Sequence, residues 1–253
     1  MFGFLQWLVT HLAPVFLVSS PITSYTDQIY TIYRTRSSAG FSMDIPLIML
    51  LASILKIFYW FNKQYELSLF LQAQLMIFVQ LLLLYVALNN RNPVTPASAK
   101  PFDGIGQDSL FSKRPYDFWQ WRSAQPYWSF LAYYTASLLV LQIWFSGSGF
   151  YTDMQGYVAL GIEALLPLPQ ILSNQRKRSC KGFRLSVLAN WLVGDAMKMS
   201  FFFMAESNIP WAFKLCALFQ AACDAYLGVQ YYMFGDGERT HIELRKPGPG
   251  RTG

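Results

Sequence analysis

Seven stretches of this chain are long and apolar enough to cross a bilayer, and they constrain the fold more than any motif does. They cover roughly residues 8–30, 44–61, 67–88, 127–146, 155–173, 186–205 and 210–233. A transmembrane helix needs about 20 mostly apolar residues. In hydrocarbon only helices and closed barrels satisfy every backbone donor and acceptor. Composition agrees: 53% of the 253 residues are hydrophobic, 17% aromatic and 13% charged, where a soluble domain carries about 25% charge. This excludes a disordered chain, a nucleic-acid-binding domain and an ordinary cytosolic enzyme. The first stretch does not read as a cleaved signal, because no basic residue precedes it and its apolar run is too long. The expected fold is an all-α membrane protein of seven transmembrane helices.

The basic residues orient it. Arg34 and Arg36 follow the first span; Arg91, Lys100, Lys113, Arg114 and Arg122 follow the third. Arg176, Lys177, Arg178, Lys181 and Arg184 follow the fifth, and Arg239, Arg245, Lys246 and Arg251 lie in the tail. Sixteen of the 20 Lys and Arg therefore share one side, against Lys63 alone on the other, with Lys56, Lys198 and Lys214 inside spans. This predicts a luminal or extracellular N-terminus and a cytosolic C-terminus. The net charge of +6, which in a soluble protein points to a polyanion, reads here as topology. Cys216 and Cys223 are seven residues apart, about 10 Å along a helix and too far to bridge. Cys180 sits in a basic loop, and His11 and His241 lie at opposite ends, so neither a disulfide framework nor a metal site is expected.

The organisation follows from the spans. Residues 1–88 form a first triple-helix bundle, 89–125 a cytosolic linker, 126–153 a linking fourth helix and 154–234 a second bundle. Residues 235–253, with Pro247 and Pro249, read as a disordered tail. The linker opens with Asn89, Asn90, Pro93, Pro96, Pro101, Gly104 and Gly106 and closes on a Trp-rich segment. There Trp119 and Trp121 are expected at headgroup depth, as a lipid contact or as a plain aromatic anchor.

An internal repeat sharpens this. Shifted by 142 positions, residues 28–56 match 170–198 at nine of 29 places, including Gln28/Gln170, Arg34/Arg176, Arg36/Arg178, Gly40/Gly182, Phe41/Phe183 and Lys56/Lys198. Matches among polar residues cannot come from shared hydrophobicity. Both copies start on the same side of the membrane, so the repeat is parallel. Three spans, a linking span and three spans give a 3+1+3 arrangement, the one found in SWEET carriers. Gly40 and Gly182 occupy equivalent turns, where a positive φ or a close approach requires no Cβ.

These residues carry a resemblance. The run from Leu168 to Phe183, with Pro169-Gln170, looks like a PQ-loop motif, and Thr26 to Ser42 looks like its first copy. Together with Ile54–Phe61, Phe118-Trp119-Gln120-Trp121 and Gly194–Lys198, the chain resembles the PQ-loop repeat proteins of the solute carrier 66 family. Within them it is most similar to the subgroup numbered first and its fungal phospholipid-scramblase relatives. The resemblance implies a multi-pass protein of endosomal or trans-Golgi membranes that opposes aminophospholipid flippases by energy-independent phospholipid scrambling. Other members move small solutes such as cationic amino acids or cystine, some of them with protons. One departure stands out: Asp27-Gln28 replaces Pro-Gln in the first copy, and Pro21 is then the candidate for bending span one.

Intramembrane polar residues offer a pathway. Lys56, Glu163, Asp195, Lys198 and Asp224 fall inside spans. At roughly 2.5–3.5 kcal/mol each on the insertion scale, five unpaired charges would cost about 12–17 kcal/mol, the size of total stability. They must pair or meet water. Three readings stay open: a hydrated groove for a zwitterionic headgroup; a site where Glu163, Asp195 or Asp224 binds a proton or cationic solute; and a structural ion-pair network. The lower half of span one, with Ser19, Ser20, Thr23, Ser24, Tyr25, Thr26, Asp27 and Gln28, either lines the cavity or satisfies backbone freed by Pro21. Pro167 and Pro169, beside Gln170, interrupt span five within one turn, as a hinge or as a static kink. Arg176, Lys177 and Arg178 suit anionic headgroups or simply fix topology. Membrane phospholipid is the expected partner, with a proton under the transporter reading; no cofactor or covalent chemistry is implied, and homo-oligomerisation is left open.

Overall fold

The computed structural model describes residues 2–38, 43–91, 118–119, 121, 123–178, 180, 185–204 and 209–235. These form eight helices: α1 (Phe2–Thr35), α2 (Asp44–Lys63), α3 (Leu67–Asn89), α4 (Gln125–Phe145), α5 (Gly149–Ala164), α6 (Pro167–Lys177), α7 (Leu185–Met204) and α8 (Trp211–Phe234). Among the described residues α2, α3, α4 and α8 are long and apolar enough to cross a membrane. Six of the seven apolar stretches become one helix each, and the fifth becomes α5 and α6 together. The far end of the tail and linker residues 92–117 lie outside the described residues, as do Gly40 and Gly182.

The division of span five follows from proline chemistry. Pro167 and Pro169 have no N–H to give the carbonyls of Glu163 and Leu165, four residues back. Those carbonyls take shorter-range donors instead: Leu166 N–H bonds to Glu163 at 3.2 Å, and Leu168 N–H to Leu165 at 3.1 Å. Pro167 then opens α6 at its first position, where a missing donor costs nothing. Span one behaves differently. Pro14 and Pro21 sit inside an unbroken α1, so the hinge expected at Pro21 does not interrupt that helix. Pro21 cannot donate to Leu17, and the Ser20 hydroxyl caps that carbonyl at 2.8 Å.

The repeat is visible in the backbone. α1 ends at Thr35 and α6 at Lys177, 142 positions apart. The next residues, the repeat-mates Arg36 and Arg178, both take left-handed conformations, with φ 52° and 49°. α2 and α7 restart within one residue of equivalent positions. The helix-ending turn thus falls four residues before the repeated glycines, on arginines that stack over Tyr33 and Phe234.

Helix α3 packs against α1 and α2, and α8 packs against α5, α6 and α7; α2·α5 and α1·α7 contacts join the two groups. The α2·α5 seam is an antiparallel ladder. Lys56 meets Glu163 and Lys63 meets Asp153, while Asn62 donates to Thr152. Between them Gly156 faces Tyr59, where an added Cβ would lie 2.7 Å from the ring. Tyr59 is buried against Tyr65 and Phe213 and has no room to retreat, so only glycine fits at 156.

The Trp-rich segment is packed into the protein. Trp119 is 1% exposed and Trp121 is half-buried. The Trp119 indole N–H donates to the Met43 carbonyl at 2.6 Å, and its ring is caged by Trp121, Tyr127 and Phe130. Buried indoles need such a partner, and Met43, just before α2, supplies it. The linker end is thereby sewn to α2, α3 and α4, with Arg91 donating to the Trp121 carbonyl at 2.6 Å.

Candidate functional site

All five charges that the sequence reading places inside spans come together between the two helix groups. Lys56 of α2 is 4% exposed, and its Nζ lies 2.7 Å from Glu163 Oε2 at the end of α5. A carboxylate at a helix C-terminus faces the negative end of the dipole. Lys56 offsets that, and Lys198 of α7 adds to the field on Glu163. Lys198 itself donates to Gln220 Oε1 of α8 at 3.1 Å. One turn away, Asp195 of α7 and Asp224 of α8 sit within reach of each other and both feel Lys198. Two lysines and three acidic side chains thus gather at one place, where buried charges must pair or meet water.

The helical spacing explains this convergence. Asp195 and Lys198 are three residues apart on α7, and Gln220 and Asp224 four apart on α8, so each pair shares a face. Lys56, Glu163, Lys198, Gln72 and Gln220 line one cavity of about 30 Å³, space for little more than one water. Within the helices, Ser53, Gln80, Asn174, Asp195, Asp224 and Gln230 each present a buried polar atom with no protein partner among the described residues. Such groups usually bind water. The seam therefore offers charge, amides and hydration in the middle of apolar helices.

Other expected residues lie elsewhere. Ser24 and Asp27 are exposed on α1 and Gln28 is half-buried, because α1 turns Ala13, Leu17, Pro21 and Ile32 inward. Their hydroxylated neighbours bond to their own helix, Thr23 to Ser20 and Thr26 to Ile22 carbonyls. Pro21 and Pro167 are buried. Gln170 donates to Asn174 Oδ1 at 2.8 Å, along α6. Arg178 is exposed; the side chains of Pro169, Arg176 and Lys177 lie outside the described residues. The glutamines of the cavity were missed. Each is an amide in an apolar stretch, and that was the available signal.

Comparison with known proteins supplies a family. The model of the PQ loop repeat matches residues 22–69 and 153–211, the two segments that carry the repeat. A curated relative from Saccharomyces cerevisiae, "Scramblase ANY1", is 30% identical over 90% of this chain and 72% of its own length. The chain belongs to the PQ-loop repeat family. In PQ-loop terms, the second copy holds the broken α5–α6 helix and α7, and the first holds the end of α1, all of α2 and the start of α3. Each copy contributes one lysine, Lys56 or Lys198, to the same cavity.

Proposed function

We propose that this protein equilibrates phospholipids between membrane leaflets without an energy source. The observation that carries this reading is the cluster of two lysines and three acidic side chains in the α2–α5–α7–α8 seam. In the proposed route a zwitterionic headgroup travels along Lys56, Glu163, Asp195, Lys198 and Asp224 while its tails stay in hydrocarbon. The kinship with a relative named as a scramblase supports it. The architecture that goes with it is 3+1+3, with α5 and α6 forming one broken span, α4 as the linking helix, the N-terminus luminal and the C-terminus cytosolic. Residence in endosome and trans-Golgi membranes, and opposition to aminophospholipid flippases, complete the proposal. A cavity of about 30 Å³ does not admit a headgroup, so lipid passage requires the two helix groups to part along α2·α5, with the α5–α6 break as the hinge.

The test is purified protein in liposomes carrying a fluorescent phospholipid. A membrane-impermeant reductant should bleach label beyond the outer-leaflet share, with no ATP or ion gradient present. The Asp195–Asp224 pair favours a second reading, a proton-coupled carrier of a cationic amino acid or cystine. If bleaching stops at the outer-leaflet share while radiolabelled lysine or cystine enters in a pH-dependent way, that reading replaces the first.

A further inference from the structure

Away from the charged seam, an apolar groove of about 630 Å³ runs between α2, α3 and α4. Its walls include Ile54 and Phe58 of α2, Ile77 of α3, and Leu131, Ala136 and Leu139 of α4. Two features keep it open. Ala132 and Ala136 also face it, one turn apart, and their short side chains leave the space unfilled. Helix α4 is also pinned along its length and cannot settle inward. At one end Tyr127 donates to the Trp119 carbonyl at 3.1 Å, in the middle Tyr134 donates to Leu51, and at the other end Gln142 donates to Asn62 at 2.7 Å.

The occupant can be read from the lining. Helices α2, α3 and α4 are each apolar and long enough to cross a membrane, so the groove opens to hydrocarbon. From Leu131 to Leu139 it extends about 12 Å, close to one leaflet's share of a roughly 30 Å hydrocarbon core. The hydroxyl of Thr135, a polar group in the lining, is spent on the Leu131 carbonyl at 2.9 Å. The other lining side chains are apolar, so the lining offers an occupant no free side-chain donor, which suits a hydrocarbon chain. At the Leu131 end, Arg91 donates to the Trp121 carbonyl and the Tyr127 hydroxyl through one nitrogen. A guanidinium has five donors, which leaves others for a phosphate.

We propose that this groove holds one acyl chain of a resident phospholipid, with its phosphate against Arg91. The site lies outside the headgroup route and would anchor α4 to the first helix group. The proposal rests on the chain spanning a membrane, not on scrambling.

Native mass spectrometry of protein purified in detergent and supplied with dioleoylphosphatidylcholine tests it. The wild type should retain one phospholipid through a detergent wash. Ala136→Phe, which fills the groove with protein, should lower that occupancy at least tenfold with an unchanged or higher Tm. Arg91→Gln should lower it several-fold. If Ala136→Phe fails to fold, Ala132→Leu provides the milder filling. Absence of retained lipid on the wild type would overturn the proposal, as would equal retention on the filled variants. So would a wild-type dimer that Ala136→Phe turns monomeric, since a second copy would then cover the face. Retained lipid on a protein with no flux in liposomes would uphold the groove while rejecting scrambling.

Discussion

Glu163→Leu is expected to cost about 3–5 kcal/mol, because it leaves a buried Lys56 without its counter-charge. The lysine side chain is 5% exposed and loses a partner at 2.7 Å. Tm in detergent should fall sharply, with a matching loss of folded yield. The double variant Lys56→Met with Glu163→Leu should recover most of it, since two apolar side chains of similar volume demand no desolvation of charge. Folding and transport then separate. If the cluster carries headgroups, the stable double variant should still lose at least tenfold in lipid flux. Flux equal to wild type in that variant would reduce Lys56 and Glu163 to a structural pair.

Trp119→Ala should be comparably damaging, at about 3–5 kcal/mol for a truncated buried aromatic. Trp119 is 1% exposed and holds a left-handed backbone, φ 62°, through contacts on every side. Trp119→Phe keeps a ring but leaves the Met43 carbonyl without its donor at 2.6 Å, a loss of about 1–3 kcal/mol. Thermal melts of the two variants should fall in that order. If Trp119 were instead an interfacial anchor in water and headgroups, both substitutions would stay within about 0.5 kcal/mol of wild type.

That tryptophan marks where the sequence stopped being legible. Apolar length located most helices to within a few residues, because in hydrocarbon the backbone has almost no alternative, but it did not separate α5 from α6. The charges in the spans were legible for a related reason: each is too costly to leave alone, so Lys56, Glu163, Asp195, Lys198 and Asp224 had to find each other or water. Which faces meet was not legible. Ser24 and Asp27 look like pathway residues in a linear reading, and both are exposed on α1. Nothing local to that helix says that α3 and α7 cover its other side. The Trp119 site depends on a carbonyl 76 positions away, and Gly156 on a tyrosine of another helix. Likewise the repeat announced matching turns, and the left-handed residues among those described at these turns are the matched pair Arg36 and Arg178.

The most direct test of lipid passage between the helix groups is to tie the groups together. Lys63 and Asp153 form an ion pair at 3.0 Å across α2·α5, with both side chains about half exposed. A variant carrying Lys63→Cys and Asp153→Cys, joined by a short bis-methanethiosulfonate linker, locks that seam and is released by reductant. Flux of fluorescent phospholipid in liposomes should be near wild type before linking, fall at least tenfold once the link is verified by mass, and return on reduction. Undiminished flux through a fully linked protein would contradict passage along the seam.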